Sequence, residues 1–404
     1  MTDPTPAAGN APLAAINWLE DGVACTARWR SERGASAPQK VVLADDRTTA
    51  DAAYRLACEG TGLLWRGDFQ NARQLLQALT RRADKSAARP RKAEADEAAG
   101  RAFHLHRQAR AQRARVLGML LLPFGADHQI TLRRAPDARA ACAQAWGVAD
   151  SDGMACVASL RDLLGMTSAF EWRKKGVEIK ALGPAPNNRV HPHYGVFSPL
   201  RGEYVDLVAS TALPPTPAGQ TLLAFDIGTG SGVLAAVLAR RGVARVVATD
   251  QDHRALACAR ENLAQLGVTA QVEVVQADLF PPGQANLVVC NPPWLPARAS
   301  APIERAVYDE DSRMLLGFLA GLADHLLPGG EGWLIMSDLA EHLGLRTRAE
   351  LLAAFDQHGL RVLGRLETQA QHPKAADATD PLHAARAAER TSLWRLGNRM
   401  DAGA

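Results

Sequence analysis

With 404 residues, 47% hydrophobic and 22% charged, the chain is long enough for two separate cores and too apolar to be an extended solvated polymer. Its formal net charge of +3 permits a nucleic-acid partner without demanding one, because clustering of basic residues matters more than their sum. Six cysteines (25, 58, 142, 156, 258 and 290) lack C-x-x-C spacing, and no segment approaches about eighteen uninterrupted apolar residues. A disulfide framework, a zinc site and a membrane partner are therefore not expected, and a cytoplasmic location is.

In chain order, residues 1–12 are small, polar and proline-bearing and read as a disordered leader. Residues 13–168 are expected to form a mainly helical N-terminal domain that docks substrate. Trp18-Leu19, Ala52 to Cys58 and Asp68 to Leu79 carry apolar residues at three- and four-residue spacing, Val41-Val42-Leu43 reads as a short strand, and Leu63-Leu64-Trp65 as core. From Arg81 to Arg115 there are eleven Lys or Arg against four acids, a cluster that suits a phosphate backbone or the solvated face of a helix. Gln129 to Arg133 is expected as a strand, with helices over Asp137 to Trp146 and Val157 to Leu164.

Glu171 to Leu182 reads as a strand or hairpin leading into a turn-rich joint at Gly183 to Asn188. His191 and His193 lack an acid or cysteine at ligand spacing, so no metal is expected there. Arg201-Gly202-Glu203-Tyr204 precedes a helix over Val205 to Ala212. Thr221 to Phe225 is a short apolar run, as a strand buried on both faces should be, and Asp226 closes it where a parallel sheet presents its ligands. Gly228, Gly230 and Gly232 follow, with Thr229 between the first two, and permit a tight turn and close approach of a ligand to backbone amides. Val233 occupies the third-glycine position of a dinucleotide fingerprint, which argues against a nicotinamide or flavin enzyme.

Arg245 to Thr249 is the next strand, ended by Asp250 at a distance suited to a ribose diol. A helix over His253 to Leu266 and a strand over Val272 to Val275 lead to Asp278-Leu279, suited to an adenine amine and the face of its ring. Ala285 to Cys290 is a fourth strand delivering Asn291-Pro292-Pro293-Trp294 to the same edge. Pro296 to Asp311 is irregular and flap-like, with Tyr308, Asp309, Glu310 and Arg313 as weaker substrate-side candidates. Then come a helix over Met314 to Leu326, strands over Glu331 to Met336, Arg361 to Leu366 and Thr391 to Leu396, and a helix over Thr347 to Phe355. Glu367 to Ala388 reads as a variable insertion with one helical turn.

Residues from about Trp172 to Leu396 resemble a class I S-adenosylmethionine-dependent methyltransferase of the small-domain type, on the strength of Asp226 to Gly232, Asp250, Asp278 and the N-P-P-[FYW] run Asn291 to Trp294. The resemblance implies an α/β fold with a seven-stranded Rossmann-like sheet in a domain over 169–404, with S-adenosyl-L-methionine as cofactor. It also implies donor binding by Asp226, Gly228, Thr229, Gly230, Gly232, Asp250, Asp278, Leu279 and Asn291, and catalysis by Asn291, Pro292, Pro293 and Trp294. Arg201 and Glu203 fall where the family's segment before the first motif lies across the donor, and are candidates for donor or substrate.

The chemistry explains those residue types. An exocyclic amine or an amide delocalises its lone pair. The Asn291 side-chain oxygen and the Pro292 carbonyl can accept its two N–H groups and leave the lone pair aimed at a methyl group, while Trp294 stacks the planar acceptor. A base amine in RNA is the favoured acceptor. A release-factor-type protein glutamine satisfies the same residues, and a non-catalytic protein of the same fold that binds RNA or a partner is the reading from a different class.

Overall fold

The computed structural model describes residues 14–87, 99–148, 153–216, 219–299, 302–369, 377 and 380–403. The leader expected at 1–12 and part of the insertion expected at 367–388 lie outside the described residues. The chain divides into two compact units, one of Met1–Ala93 with Arg107–Phe170, the other of Glu94–His106 with Glu171–Ala404.

The first unit is organised on a six-stranded sheet. β1 (Ala15–Glu20) and β2 (Val23–Trp29) form an antiparallel hairpin through Asp21 and Gly22, both at positive φ, the backbone that a two-residue turn of matching twist requires. β3 (Lys40–Ala44), β4 (Thr61–Trp65), β5 (Leu120–Phe124) and β6 (Cys156–Ser159) complete the order β1-β2-β6-β5-β4-β3. Strands β3, β4 and β5 run parallel, and β6 joins antiparallel to β5. Around the sheet lie α1 (Ala50–Cys58), α2 (Phe69–Ala87), α3 (Ala99–Leu117), α4 (Arg139–Trp146) and α5 (Leu160–Lys175), with the first residues of α3 and the last of α5 counted in the second unit.

Helices hold more residues than strands here, and the sheet that orders them has six strands, of which β3 falls where a short strand was read at Val41-Val42-Leu43. β4 is buried along its whole length, so it shows no alternation to distinguish it from buried helix. The helix expected over Val157 to Leu164 starts as β6 for the same reason. The strand expected over Gln129 to Arg133 is irregular. Gly125 N–H donates to Gln129 O and Phe69 N–H to Arg133 O, so its carbonyls serve turns rather than a ladder.

The second unit carries a seven-stranded sheet, as expected. The helix α5 runs through Glu171 to Lys175, where a strand or hairpin was expected, and only the two-residue pair β7 (Val177–Glu178) and β8 (Arg189–Val190) follows. After α6 (Glu203–Ser210) come β9 (Leu223–Ile227), α7 (Val233–Arg240), β10 (Arg245–Asp250), α8 (His253–Gln265), β11 (Val272–Gln276) and β12 (Ala285–Cys290). α9 (Arg313–Leu322), β13 (Leu326–Ser337), α10 (Leu339–His342), α11 (Arg348–Gln357), β14 (Leu360–Gln369), α12 (His383–Ala388) and β15 (Arg390–Asn398) complete it.

The order is β11-β10-β9-β12-β13-β15-β14, parallel from β11 to β13 and closed by antiparallel β15. Alternate side chains of β9 and β12 enter opposite cores: Phe225, Ile227, Val288 and Cys290 one, Ala224, Leu287 and Val289 the other. Strand order reverses between β9 and β12, which opens a crevice at their carboxyl ends. Among the described residues no helix is long and apolar enough to cross a membrane.

Candidate functional site

Sheet register decides which candidates meet. Ile227 on β9 pairs with Thr249 on β10 and Cys290 on β12, and Asp250 pairs with Gln276 on β11. The glycine loop, Asp250, Asp278 and Asn291 therefore leave four adjacent strand ends on one edge of the sheet.

Gly228, Gly230 and Gly232 all lie at positive φ, as the spacing anticipated. A Cβ on Gly232 would sit 3.2 Å from Ala259 Cα, so this glycine admits α8 against the loop, whereas a Cβ on Gly230 would meet nothing nearer than Gly228 O at 4.0 Å. Asp226 lies beneath the loop. Its Oδ2 accepts from Thr229 Oγ1 at 2.6 Å and Ala235 N–H at 3.1 Å, and Thr229 N–H donates to Thr249 O at 2.8 Å. These contacts give Asp226 and Thr229 the work of ordering the loop.

Burial pushes the Asp226 carboxyl up to about 6, against its two hydrogen bonds, which act to lower it, and with a small upward contribution from Asp250. A carboxyl raised above its ordinary 3.8 binds more protons folded than unfolded. Stability should fall as pH climbs from about 4 to about 6, by on the order of 3 kcal/mol, and change no further on this account above that window. Urea unfolding of wild type and Asp226→Asn at pH 4 and pH 7 checks this: the difference between the two should shift with pH, and parallel profiles would refute it.

Asp250 stands beside the glycine loop. Its Oδ2 accepts from Gly230 N–H at 3.0 Å and its Oδ1 from Asp252 N–H at 2.9 Å, so the carboxylate is fixed at the loop's rim. Burial raises its carboxyl as well. Asp278 is exposed and pairs with Arg313 Nη2 at 3.0 Å. Leu279 takes φ +75°, a conformation rare for a branched side chain, and its carbonyl accepts from Thr249 Oγ1 at 2.6 Å. That bond and packing toward Gly317 of α9 hold it at the edge of the crevice.

In the Asn291 loop, Trp294 Nε1 donates to Asn291 Oδ1 at 2.9 Å, which fixes the amide with its oxygen as acceptor. Arg201 lies over the Trp294 ring, 5.3 Å from its centroid, so one indole face is already covered by a cation. The Arg201 guanidinium is held by Glu203 Oε1 at 3.2 Å and by Glu389 Oε2 at 2.9 Å, and Glu389 Oε1 accepts from Ser337 Oγ at 2.7 Å. Arg201 and Glu203, read as donor or substrate contacts, lie together on the Trp294 side of the site. Glu389 carries no signal in sequence, since it directly follows Glu367 to Ala388, a stretch read as variable surface.

The expected flap is pinned to the same loop: Leu295 N–H donates to Val307 O and Asp309 N–H to Leu295 O. The buried Asp309 caps α9 by accepting from Met314 N–H and Leu315 N–H, both at 3.0 Å. His191 Nδ1 lies 2.6 Å from Arg173 O and His193 Nε2 2.9 Å from Glu261 Oε2, so both imidazoles are engaged by protein.

The family described as methyltransferase small domain matches residues 187–358, which span the glycine loop, both acids and the Asn291 loop. Residues 187–358 are an S-adenosylmethionine-dependent methyltransferase domain of this small-domain type. The open side of Gly230 and the fixed carboxylate of Asp250 fit the donor, with amides for its charged end and an acceptor for its ribose.

The methyltransferase domain is similar to a ribosomal protein L11 methyltransferase of Pelotomaculum thermopropionicum, 49% identical over 69 residues, 17% of this chain and 22% of the relative. It is also similar to a release factor glutamine methyltransferase of Cereibacter sphaeroides, 38% identical over 111 residues, 27% and 36% of the two chains. The chain spans well under two thirds of either relative's length. Among solved structures, a ribosomal protein L11 methylase of Lactobacillus delbrueckii subsp. bulgaricus aligns over 54% of this chain and 89% of its own, with 18% identity and a TM-score of 0.36.

Proposed function

We propose that this protein transfers a methyl group from S-adenosylmethionine to the exocyclic amine of adenine or guanine in RNA. The observation that carries the reading is the bond from Trp294 Nε1 to Asn291 Oδ1, which fixes the amide oxygen as an acceptor at the strand end neighbouring the glycine loop. The donor, when bound, would supply an electrophilic methyl group: the amine lone pair forms the N–CH3 bond as the S–CH3 bond breaks, S-adenosylhomocysteine leaves with that electron pair, and the methylated nitrogen loses one proton to solvent. Asn291 Oδ1 retains a second lone pair for one amine N–H and the Pro292 carbonyl takes the other, so the nitrogen lone pair is localised and aimed. Both acceptors also favour the positive charge that grows on nitrogen. Pro292 and Pro293 restrict the backbone that presents the carbonyl. A base in paired RNA would have to leave its stack first.

A second reading, a glutamine side chain in a protein, is favoured by the names of the relatives, which act on a release factor or a ribosomal protein. The amide nitrogen has the same delocalised lone pair and needs the same two acceptors.

The test is transfer of labelled methyl from S-adenosylmethionine into extract of cells lacking the protein, followed by separate nuclease and protease digestion. Nuclease-sensitive label is the expected result. Protease-sensitive label would replace the base with glutamine, and no label alongside normal donor binding would leave a non-catalytic binding protein.

A further inference from the structure

We infer that Phe103, in the part of α3 counted in the second unit, is a positioning residue for methyl transfer: it braces Leu295 and Tyr308 behind the Asn291 loop and so fixes where the amide oxygen stands. The loop is tied at both ends. Cys290, just before it, is held in the sheet by pairing with Ile227 on β9 and Leu334 on β13. Leu295, just after Trp294, bridges to Tyr308: its N–H donates to Val307 O at 3.3 Å and its carbonyl accepts from Asp309 N–H at 2.9 Å. Two backbone bonds in an irregular segment open readily unless apolar side chains cover them. This pair is covered by a cluster separate from the two cores that flank the sheet, made of Phe103, Leu295, Ala340, Leu343 and Leu382, with Tyr308 packed against it.

Phe103 is 2% exposed, and its ring centroid lies 6.5 Å from that of Tyr308 at an interplanar angle of 56°, within the range of an attractive aromatic pair. The other buried members of the cluster are leucines and an alanine, which can collapse only partly into the space of a lost ring, so its removal leaves a cavity against the bridge. The start of α3 presses on the same cluster. A Cβ on Gly100 would already touch Leu343 O at 3.5 Å and Gly344 O at 3.7 Å, so a branched side chain there would push the helix away. In sequence Phe103 is the one Phe, Tyr or Trp within Arg81 to Arg115, a stretch whose charge had suggested a phosphate backbone or a solvated face.

The route to the chemistry is short. Trp294 precedes Leu295 and donates to Asn291 Oδ1, so a slip at the bridge carries the indole, and with it the amide oxygen, out of place. A misplacement of about 1 Å at a reacting group can cost on the order of a hundredfold in rate.

The inference rests on Asn291 orienting the acceptor nitrogen, and its first measurement needs no acceptor. Amide hydrogen exchange of the full chain is followed by mass spectrometry for wild type, Phe103→Ala, Phe103→Leu and Gly100→Val. In Phe103→Ala, peptides over Trp294 to Ala297 and Val307 to Asp309 should exchange roughly tenfold or more faster, while those over Asp226 to Gly232 match wild type. General destabilisation would accelerate both regions alike. Gly100→Val leaves no cavity and should show the same contrast, which keeps the comparison if Phe103→Ala does not fold; Phe103→Leu should regain most of the protection. The second measurement is the initial rate of label incorporation from S-adenosylmethionine into extract of cells lacking the protein. Phe103→Ala should be slower by about tenfold to a hundredfold, with donor affinity by calorimetry within about twofold and the rate largely recovered in Phe103→Leu.

Exchange over Trp294 to Asp309 that stays as in wild type in these variants, or rises equally over the glycine loop, would overturn the brace. So would a selective rise in exchange with a wild-type rate of transfer. A wild-type protein that transfers no methyl group would count against the acceptor reading instead, and selective exchange would then leave the brace standing.

Discussion

Asn291→Ala should leave S-adenosylmethionine binding within about twofold of wild type while lowering methyl transfer by a hundredfold or more, the scale on which a positioned transition-state contact acts. The residues fitted to the donor, the amides around Gly230 and the carboxylate of Asp250, leave β9 and β10, and neither depends on the Asn291 amide. What the variant loses is the oxygen that would take one N–H of the acceptor nitrogen, so the lone pair relaxes into the π system and is no longer aimed. Asn291→Asp keeps an acceptor oxygen for Trp294 Nε1 and should retain more activity than Ala. Asp250→Ala is the counterpart, weakening donor binding directly. Calorimetry with S-adenosylmethionine and initial rates of label incorporation separate the two. Equal donor binding and equal rates in Asn291→Ala and wild type would remove Asn291 from the chemistry.

The carboxyl edge of the second sheet was legible because β9, β10 and β12 are short, largely apolar runs with a polar residue at or beside their ends. β12 occupies Ala285–Cys290 as read, and Asp226, Asp250 and Asn291 stand at the ends of adjacent strands. In the first unit the hairpin signal is a single dipeptide: Asp21-Gly22 joins two runs of mixed polarity and accommodates two positive φ values. β6 flows into α5 with no turn between them, so a continuous apolar run concealed the change of element. The charged supports of the site could not be read at all. Glu389 is buried beside Arg201, 188 residues away in sequence, and neither periodicity nor local composition encodes that pairing.

That pairing predicts the largest stability effect in the second unit. Glu389 is 1% exposed and holds both the Arg201 guanidinium and the Ser337 hydroxyl. Glu389→Ala would leave the hydroxyl without its acceptor and the guanidinium with Glu203 alone, and loss of one partner from a buried ion pair costs about 3–5 kcal/mol. For a unit of this size the melting temperature should fall by roughly 6–20 °C. The effect should extend to function, because Arg201 lies on Trp294 and Trp294 holds Asn291. Below the melting transition kcat should drop while donor affinity stays near wild type, a split that a purely structural support would not produce. Glu389→Gln keeps an oxygen for Arg201 or Ser337 and should recover part of both losses. A Glu389→Ala protein that melts within a degree of wild type would show that Arg201 is held by Glu203 alone. Normal kcat in a destabilised variant would instead confine Glu389 to the fold and detach Arg201 from the orientation of the Asn291 amide.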